Sequence, residues 1–285
     1  MIILRTVAEL RDAVATARRR GARIGIVPTL GAFHEGHLAL MRRARERCGL
    51  VVVTLFVNPT QFNDAGDLAR YPRDEARDAE LAASTGADVL FAPDVREVYP
   101  VGFASVVEVR GVTVPLEGAV RGPEHFRGVA TIVLKLFNMA QPDEAFFGQK
   151  DAQQALLIRR MVRDLDVPVR IEVCPTVREA DGLAMSSRNA LLAPEARQRA
   201  PALHEALAMV ASLVEQGAHI DDALARARAF LALHGVDPEY FAAVSADTLE
   251  PVHAVDVETL VAIAARFGAV RLIDNVLLHA PGRGA

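Results

Sequence analysis

The sequence predicts an α/β fold in which a doubly wound parallel sheet is followed by a smaller α+β domain. Apolar, β-branched runs of strand length, such as residues 23–27 and 51–57, alternate with segments whose apolar residues recur at helical spacing. A continuous apolar run is typical of a parallel strand that is buried on both faces. The alternation stops near residue 194, where Ala-rich helices begin. We therefore predict two domains, residues 1–176 and 177–285.

The amino-acid composition, net charge and cysteine count indicate which class of protein to expect. The 285 residues are 51% hydrophobic and 24% charged, as in an ordinary soluble globular protein. The net charge of -4 disfavours a nucleic-acid partner, since nucleic-acid binders usually carry a basic excess. Cys48 and Cys174 suggest neither a disulfide framework nor a zinc-ligand pair, and no apolar run approaches the roughly 20 residues that span a bilayer. We therefore expect a cytoplasmic protein with no nucleic-acid or membrane partner.

The elements of the predicted sheet domain follow from local signals. Thr6 and Glu9 form a capping box, and Gly21 ends the apolar periodicity behind it, which predicts a helix over residues 7–20. Helical spacing of apolar residues also predicts a helix that begins near residue 36. The same rules predict a helix at 74–85, a strand at 88–91, a helix at 129–140, a strand at 144–147, a helix ending near 164 and a strand at 169–173.

Residues 100–127 show a looser pattern. The segment contains a predicted strand at 105–109 and a loop with Gly and Pro that runs through Arg121, His125 and Arg127. We interpret this loop as a flap over a binding site, and a plain surface connection is the alternative.

The predicted second domain begins with two Ala-rich helices, at 194–215 and 221–233, and continues with strands at 238–245 and 270–278. Helices and strands that do not alternate are typical of an α+β domain. We expect this domain to close over the first as a lid. The sequence contains no internal repeat, no Walker A loop and no Gly-x-Gly-x-x-Gly fingerprint.

Residues 28–37 form a strand-to-helix turn that suits a phosphate group. Gly31 and Gly36 leave room for a ligand beside the backbone, and the following helix presents N–H groups and the positive end of its dipole. His34 and His37 are three residues apart, so they can point the same way and donate hydrogen bonds to phosphate oxygens. A chance pair or a metal site is the alternative, although a zinc protease would need the longer spacing His-Glu-x-x-His.

Three further loops follow predicted strands. Gln61 comes after residues 51–57, and Lys150 stands at the start of a helix, where its charge opposes the dipole and so suggests an anionic ligand. The polar loop 175–189 offers two hydroxyls and a guanidinium to a triphosphate. Ordinary solvated loops are the alternative for Gln61 and for loop 175–189. Because the carboxyl ends of parallel strands meet at one edge, we expect all four loops to gather at the topological switch point.

These motifs resemble those of known enzymes. A His-x-Gly-His turn with a later Met-Ser-Ser-Arg loop resembles the HIGH and KMSKS pair, with which nucleotidyltransferases and class I aminoacyl-tRNA synthetases hold ATP. The absence of an anticodon-binding module and of a basic excess disfavours the synthetases for tRNA. The fuller set of motifs resembles the pantothenate synthetase (pantoate–β-alanine ligase) family. This set comprises residues 28–37, 56–62, 71–73, 146–154 and 175–189.

The resemblance implies a Rossmann-like domain with a C-terminal lid, a homodimer, and ATP-dependent condensation of pantoate with β-alanine. In that family ATP with Mg²⁺ forms pantoyl adenylate and pyrophosphate, and β-alanine then displaces AMP. Catalytic roles are implied for His37, His34 and Lys150, with His37 as the proton donor. Gln61 and Gln154 would bind pantoate, Gln61 would also bind β-alanine, and no metal ligand is assigned. The implied ATP-binding residues are Leu30, Gly31, Ala32, Phe33, His34, Glu35, Gly36, His37, Gly148, Gln149, Lys150, Asp151, Val177, Met185, Ser186, Ser187 and Arg188.

Three positions depart from the pattern of the family. Leu30 replaces a usual Met, Gln149 replaces a usual Glu, and Arg121 lies in a segment with one residue more. One alternative function is that of another HIGH-motif nucleotidyltransferase with a small phosphorylated or carboxylate substrate, which would show a basic phosphate site in place of Gln61 and Gln154. A nucleotide-binding regulatory protein is the other, and it should lack the full set of Lys and His donors.

Overall fold

The computed structural model describes residues 1–63 and 65–280, and the chain divides into two compact units. The first unit contains Met1–Gln149 and Gln153–Pro175. The second contains Lys150–Ala152 and the described part of Thr176–Ala285. Each unit has its own apolar core.

A six-stranded parallel sheet forms the centre of the first unit, in the strand order β1-β4-β3-β2-β5-β6. This order, with helices between successive strands, confirms the predicted doubly wound α/β fold. The strands are β1 Ile2–Leu4, β2 Ile24–Val27, β3 Leu50–Thr54, β4 Val89–Phe91, β5 Glu144–Gly148 and β6 Arg170–Cys174.

The first helix shows how directly the sequence determines these elements. The Thr6 hydroxyl accepts a hydrogen bond from the Glu9 N–H, and the Glu9 carboxylate accepts one from the Thr6 N–H, which confirms the predicted capping box. No helix in residues 1–63 and 65–280 is both long and apolar enough to cross a membrane. The helices that lie between β1 and β6 along the chain are α1 Val7–Arg19, α2 Glu35–Arg47, α3 Ala65–Arg70, α4 Glu75–Ser84, α5 Val95–Val98, α6 Glu117–Ala140 and α7 Ala152–Asp164.

Apolar side chains cover both faces of the parallel sheet. Ile24 and Ile26 of β2 belong to the core on one face, together with residues of α1, α6 and α7. Val27, the next residue of the strand, belongs to the core on the opposite face, together with residues of α2 and α4. Successive strand residues point to opposite faces, so a strand between two helical layers must be apolar throughout. All four residues of β2 are buried.

Helix α6 corrects the prediction for residues 100–127. Arg121, His125 and Arg127 lie in this helix, so the predicted flap is wrong. Gly122 adopts a φ of 76° just before Pro123, and the two helical pieces join across this kink. A proline is tolerated where a helical piece begins, because its missing N–H would have no helical partner there. The Gly and Pro that suggested a loop therefore mark a bend.

The predicted strand at 105–109 is also wrong. These residues form no strand in the structure, and Val107 lies beside α6. The Val107 N–H donates to the Thr131 hydroxyl of that helix over 2.9 Å. The Thr131 hydroxyl therefore accepts the hydrogen bond that a carbonyl of a neighbouring strand would otherwise accept from Val107.

A buried charge cluster lies at the edge of the sheet where the strands begin. The Glu144 side chain is fully buried and accepts from Arg47 Nε over 2.6 Å, and it also pairs with Arg23. The hydrogen bond from Arg47 lowers the pKa of Glu144, although burial alone would raise it. A buried carboxylate is tolerated only when it is paired in this way.

The second unit contains a three-stranded antiparallel sheet in the order β7-β8-β9, packed against helices. The strands at 238–245 and 270–278 are confirmed, whereas the Ala-rich strand between them was not predicted, because Ala carries little β preference. The predicted helix 194–215 is two helices that meet at Pro201. The elements are α8 Pro194–Arg199, α9 Ala202–Glu215, α10 Ile220–Leu233, β7 Pro238–Ser245, β8 Thr259–Phe267 and β9 Val270–Leu278.

Neither cysteine of the native protein should react with a thiol reagent. Burial raises the pKa of the Cys48 and Cys174 thiols to about 11, so at pH 8 only about one thiol in a thousand is the reactive thiolate. We expect negligible reaction with dithionitrobenzoate at pH 8. The control is the same protein in guanidinium, where both thiols should react. Rapid stoichiometric labelling of the folded protein would show that one thiol reaches solvent.

Candidate active site

A buried carboxylate holds the turn that follows β2. Asp78 of α4 is only 2% exposed, and its two oxygens accept from the Ala32 and Phe33 N–H groups, each over 2.8 Å. Ala32 has a φ of 53° and Gly31 a φ of 93°, so both lie in the left-handed region. A Cβ at Gly31 would lie 2.6 Å from Leu55 Cδ1, which leaves no room for a larger residue. The turn therefore has one conformation, set by Asp78 and permitted by Gly31.

Two threonines join the ends of the neighbouring strands β2 and β3. The Thr29 N–H donates to the Thr54 hydroxyl over 3.1 Å, and the Thr29 hydroxyl donates to the Thr54 carbonyl. The Gly31 N–H in turn donates to the Thr29 hydroxyl over 3.3 Å. Both threonines are buried, so these bonds satisfy polar groups that water does not reach. They bring the loops after β2 and β3 together.

His34 and His37 form a reciprocal cap at the start of α2. The Gly36 N–H donates to His34 Nδ1 over 3.2 Å, and the His34 N–H donates to His37 Nδ1 over 3.4 Å. The two ring centroids are 4.2 Å apart. Because Nδ1 accepts in both rings, the proton of the neutral imidazole lies on Nε2, and each ring is a donor at that atom. The neighbouring Glu35 is exposed and pairs with Arg42.

Asn58 fixes the loop that carries Gln61. Its side chain is fully buried, and Nδ2 donates to Gln61 Oε1 over 3.1 Å and to the Gly128 carbonyl over 3.2 Å. Its Oδ1 accepts from the Tyr99 hydroxyl over 2.8 Å and from the Thr60 hydroxyl over 2.9 Å. This network sets the orientation of the Gln61 amide, with its oxygen toward Asn58.

Two contacts with α6 support the same loop. His125 Nδ1 lies 2.8 Å from the Gln61 carbonyl. A Cβ at Gly128 would lie 2.4 Å from the Thr60 carbonyl oxygen, so only glycine allows this approach of helix and loop. Burial raises the pKa of Tyr99, and since even an unshifted phenol is protonated at neutral pH, its hydroxyl is available as a donor. Asn58, Tyr99 and Gly128 were not predicted from the sequence, in which the local signal is an Asn-Pro pair directly after a strand.

The two adjacent glutamines of α7 have different surroundings. Gln153 is buried, its Nε2 donates to the carbonyls of Val112 and Pro115, and its Oε1 accepts from the Glu117 N–H. Gln153 is therefore occupied with the backbone. Gln154 is half-buried, and its amide makes no hydrogen bond to any residue that the structure describes. Of the pair, Gln154 has the amide with donors and acceptor to offer a ligand.

The strand order creates a switch point beside the histidine turn. β2 pairs with β3 on one side and with β5 on the other, so the loops after β2 and β5 leave from neighbouring strands. Ligands of doubly wound sheets bind in the crevice at this point. Gly148 is the last residue of β5 and Gln149 follows it. Within the first unit the structure brings together the predicted turn 28–37 and the loop of Gln61, and the gathering of all four loops stays a prediction.

Lys150 belongs to the second unit and is 19% exposed. Its Nζ lies 3.6 Å from Asp151 Oδ1, so an acidic neighbour partly compensates the charge that opposes the helix dipole. Its backbone carbonyl accepts from Asn275 Nδ2 of β9 over 3.0 Å. The 3₁₀ turn Gln149–Asp151 leads directly into α7.

The loop with Ser186, Ser187 and Arg188 also belongs to the second unit. The Ser186 hydroxyl accepts from the Arg188 N–H over 3.2 Å and so caps the 3₁₀ turn Ser187–Leu191. The Met185 N–H donates to the Val177 carbonyl over 2.9 Å, which places these two predicted residues side by side. The side chains of Ser187 and Arg188 are half-buried and have no hydrogen-bond partner in the described residues. A hydroxyl and a guanidinium are thus available to an anion.

A family model and the amino-acid sequences of relatives agree on what the chain is similar to. The model described as pantoate-beta-alanine ligase matches residues 2–277. A pantothenate synthetase of Moorella thermoacetica is 52% identical over 281 residues, which cover 98% of this chain and 99% of the relative. A pantothenate synthetase of Cereibacter sphaeroides is 54% identical over 96% of this chain and 98% of the relative.

Solved structures give the same result. The pantothenate synthetase of Thermus thermophilus superposes with a TM-score of 0.91 at 47% identity, and the match covers 97% of this chain and 99% of that one. A pantoate-beta-alanine ligase from Francisella tularensis has a TM-score of 0.80 at 33% identity, over 97% of both chains. That structure is described as complexed with beta-gamma ATP and beta-alanine.

Replacement of Asp78 should loosen the turn after β2. Asp78→Ala leaves the Ala32 and Phe33 N–H groups without their acceptor, so the free energy of unfolding should fall by about 1–3 kcal/mol. Hydrogen exchange of these two amides should accelerate. The control is Asp74→Ala, which removes only the exposed N-cap of the same helix. Unchanged exchange at residues 32 and 33 in Asp78→Ala would show that the turn does not depend on this carboxylate.

Proposed function

The chain belongs to the pantoate–β-alanine ligase family, and we propose that it condenses pantoate with β-alanine through a pantoyl-adenylate intermediate. The family match over residues 2–277 carries this proposal. The ATP compound and β-alanine in the Francisella tularensis relative support the choice of substrates. The products are pantothenate, AMP and pyrophosphate.

In the first step a pantoate carboxylate oxygen attacks the α-phosphorus of ATP, and the bond from that phosphorus to the pyrophosphate oxygen breaks. The carboxylate is already ionised at neutral pH, so this step needs no general base. The protein has to align the two reactants and neutralise the charge of the triphosphate. Hydrogen-bond donors with fixed orientation serve that purpose best, because they need not reorganise during the reaction.

We assign the phosphate-binding donors to two histidines and a lysine. His37, His34 and Lys150 are the proposed catalytic residues, and the Nε2–H groups of the histidines and the Lys150 ammonium would stabilise phosphate charge. The reciprocal cap of the two histidines supports this role, because it holds the Nε2 donors in place. The proposed ATP-binding residues are Leu30, Gly31, Ala32, Phe33, His34, Glu35, Gly36, His37, Gly148, Gln149, Lys150, Asp151, Val177, Met185, Ser186, Ser187 and Arg188.

Gln61 and Gln154 are the proposed pantoate-binding residues, and Gln61 would also bind β-alanine. The Asn58 bond to the Gln61 oxygen leaves the amide NH₂ group directed elsewhere, as a donor for a substrate oxygen. In the second step the β-alanine nitrogen attacks the acyl carbon of the adenylate, and the bond to the AMP oxygen breaks. The amine must be neutral to attack, and we assign no general base to it.

Mg²⁺ would enter with ATP. The described residues contain no group of three or more His, Cys, Asp or Glu side chains that could hold a metal ion. Mg²⁺ commonly binds through substrate phosphates and water with few protein ligands, so this donor set fits an ion carried by the nucleotide. When bound, the ion would neutralise phosphate charge.

We also propose how the chain is divided into domains, how it assembles and where it is located. We infer a functional boundary between residues 176 and 177, with residues 177–285 as a lid, because an acyl adenylate must be kept from water. We propose a homodimer from the family resemblance. We propose a cytoplasmic location from the two unpaired, buried cysteines.

Pyrophosphate exchange tests the two-step reaction. Labelled pyrophosphate should appear in ATP when pantoate is present and β-alanine is absent, because the adenylate forms reversibly in the first step. Net AMP formation should need both acids. Exchange that strictly requires β-alanine would exclude the adenylate intermediate, and absence of exchange and of pantothenate under all conditions would reject the proposed function.

Substrate discrimination tests the two glutamines. If their amides bind the hydroxyls of pantoate, an analogue without the 4-hydroxyl leaves an amide unpaired, and kcat/KM for adenylation should fall by up to about 10⁴-fold. Gln61→Ala and Gln154→Ala should lose most of this discrimination. Gln153→Ala is the matched control, since it removes the adjacent amide that binds backbone carbonyls. Variants of Gln61 and Gln154 that discriminate as sharply as the parent would place specificity elsewhere.

A further inference from the structure

We propose that two consecutive residues of β9, Asp274 and Asn275, position the phosphate-binding segments of the second unit. Asp274 acts on the loop of Ser186–Arg188 and Asn275 acts on Lys150. Both are positioning residues that act through the groups they hold. The inference rests on the proposed function, in which the loop and Lys150 contact ATP.

Asp274 holds the loop through Arg178. Its carboxylate accepts two hydrogen bonds from the Arg178 guanidinium, over 2.6 and 3.1 Å, and its side chain is only 2% exposed. The same guanidinium donates to the Gly182 carbonyl over 3.1 Å. A bidentate pair fixes both the distance and the angle between two groups. Arg178 is therefore attached to β9 and to the tip of its own loop at once.

The backbone transmits this anchor to the phosphate-binding segment. Arg178 and Ala184 form a β-bridge, and the Met185 N–H donates to the Val177 carbonyl. Gly182 turns the chain with a φ of 90°, and a Cβ there would lie 2.5 Å from His204 Cδ2. Residues 177–185 thus form a tight hairpin that ends directly before Ser186.

The far end of the segment is held as well. Asn189 Nδ2 donates to Glu179 Oε1 over 2.6 Å and to the Ala184 carbonyl over 3.1 Å. Glu179 and Asp181 each accept a hydrogen bond from Arg197 of α8 over 2.6 Å. The segment that carries Ser187 and Arg188 is therefore fixed on both sides, while those two side chains have no partner of their own among the described residues.

Asn275 connects β9 to the other phosphate-binding candidate. Its Nδ2 donates to the Lys150 carbonyl over 3.0 Å, and the residue is 5% exposed. Asp274 and Asn275 are consecutive residues, so both segments are attached to the same short stretch of β9. One rigid strand thereby sets the spacing of Lys150 from the Ser186–Arg188 loop.

We infer that the Arg178–Asp274 pair serves geometry as well as stability. Desolvation of a buried ion pair offsets most of its attraction, and apolar residues of similar volume often stabilise a fold equally well. The pair does supply a fixed geometry. A phosphate site needs this property, because small displacements of binding groups lower the rate of reaction.

The test compares single substitutions in the full chain. Arg178→Lys keeps the charge but loses the bidentate fork, and Asn275→Ala removes the bond to Lys150. Arg271→Lys is the matched control, because Arg271 also lies on β9 but pairs with Glu239. Rates of pantoate-dependent pyrophosphate exchange, KM for pantoate and melting temperatures are measured for all variants.

We expect Arg178→Lys and Asn275→Ala to lower kcat for exchange by about 10- to 100-fold, as displaced binding groups do. KM for pantoate should match that of Arg271→Lys. Loss of buried hydrogen bonds should lower the melting temperature of both variants, so exchange is measured at a temperature at which every variant is fully folded. In an Arg188→Ala background, Arg178→Lys should cause little further loss, since effects that act through one group are not additive.

Three results would overturn the inference: exchange in both variants as fast as in Arg271→Lys, losses that only follow the fraction of unfolded protein, or independent losses from Arg178→Lys and Arg188→Ala. Should Arg178→Lys not fold, Asn275→Ala decides by the same criteria. A parent protein without exchange would reject the proposed function and the inference together, whereas an active parent with unaffected variants rejects the positioning role alone.

Discussion

The parallel pairing of β2 with two different strands determines where the candidate site lies. β2 pairs with β3 on one side and with β5 on the other. Parallel neighbours need long crossover connections, so the chain passes through β3 and β4 before α6 brings it back to β5. The strands β2 and β5 are therefore neighbours although their loops lie far apart along the chain, and such a switch point is where doubly wound sheets bind ligands.

Buried polar side chains fix the conformation of several loops of the first unit. Asp78, Asn58 and Gln153 each bind backbone groups of a loop, and all three are buried. A buried polar group without a partner costs roughly 1–3 kcal/mol, so such a residue favours the one loop conformation that satisfies it. Each of these loops is therefore held in one conformation by a buried side chain.

Local signals in the sequence were sufficient for much of the fold and for part of the site. The capping box at Thr6, the apolar strands and the histidine turn depend on neighbouring residues, and they were predicted. Asp78 was missed because its partners lie 45 and 46 residues away along the chain. The Gly122–Pro123 bend was mistaken for a loop, since the same residues mark either feature until the packing of α6 decides between them.

The short strand β1 covers one edge of β4, although its two isoleucines are exposed. Ile2 and Ile3 are 54% and 43% exposed, yet β1 pairs along the whole of β4, whose three residues are buried. An unpaired apolar strand is a template for intermolecular association. If β1 detached, the edge of β4 would become such a template. The three residues of β1 thus cover the edge of β4, and an edge strand this short offers little template of its own.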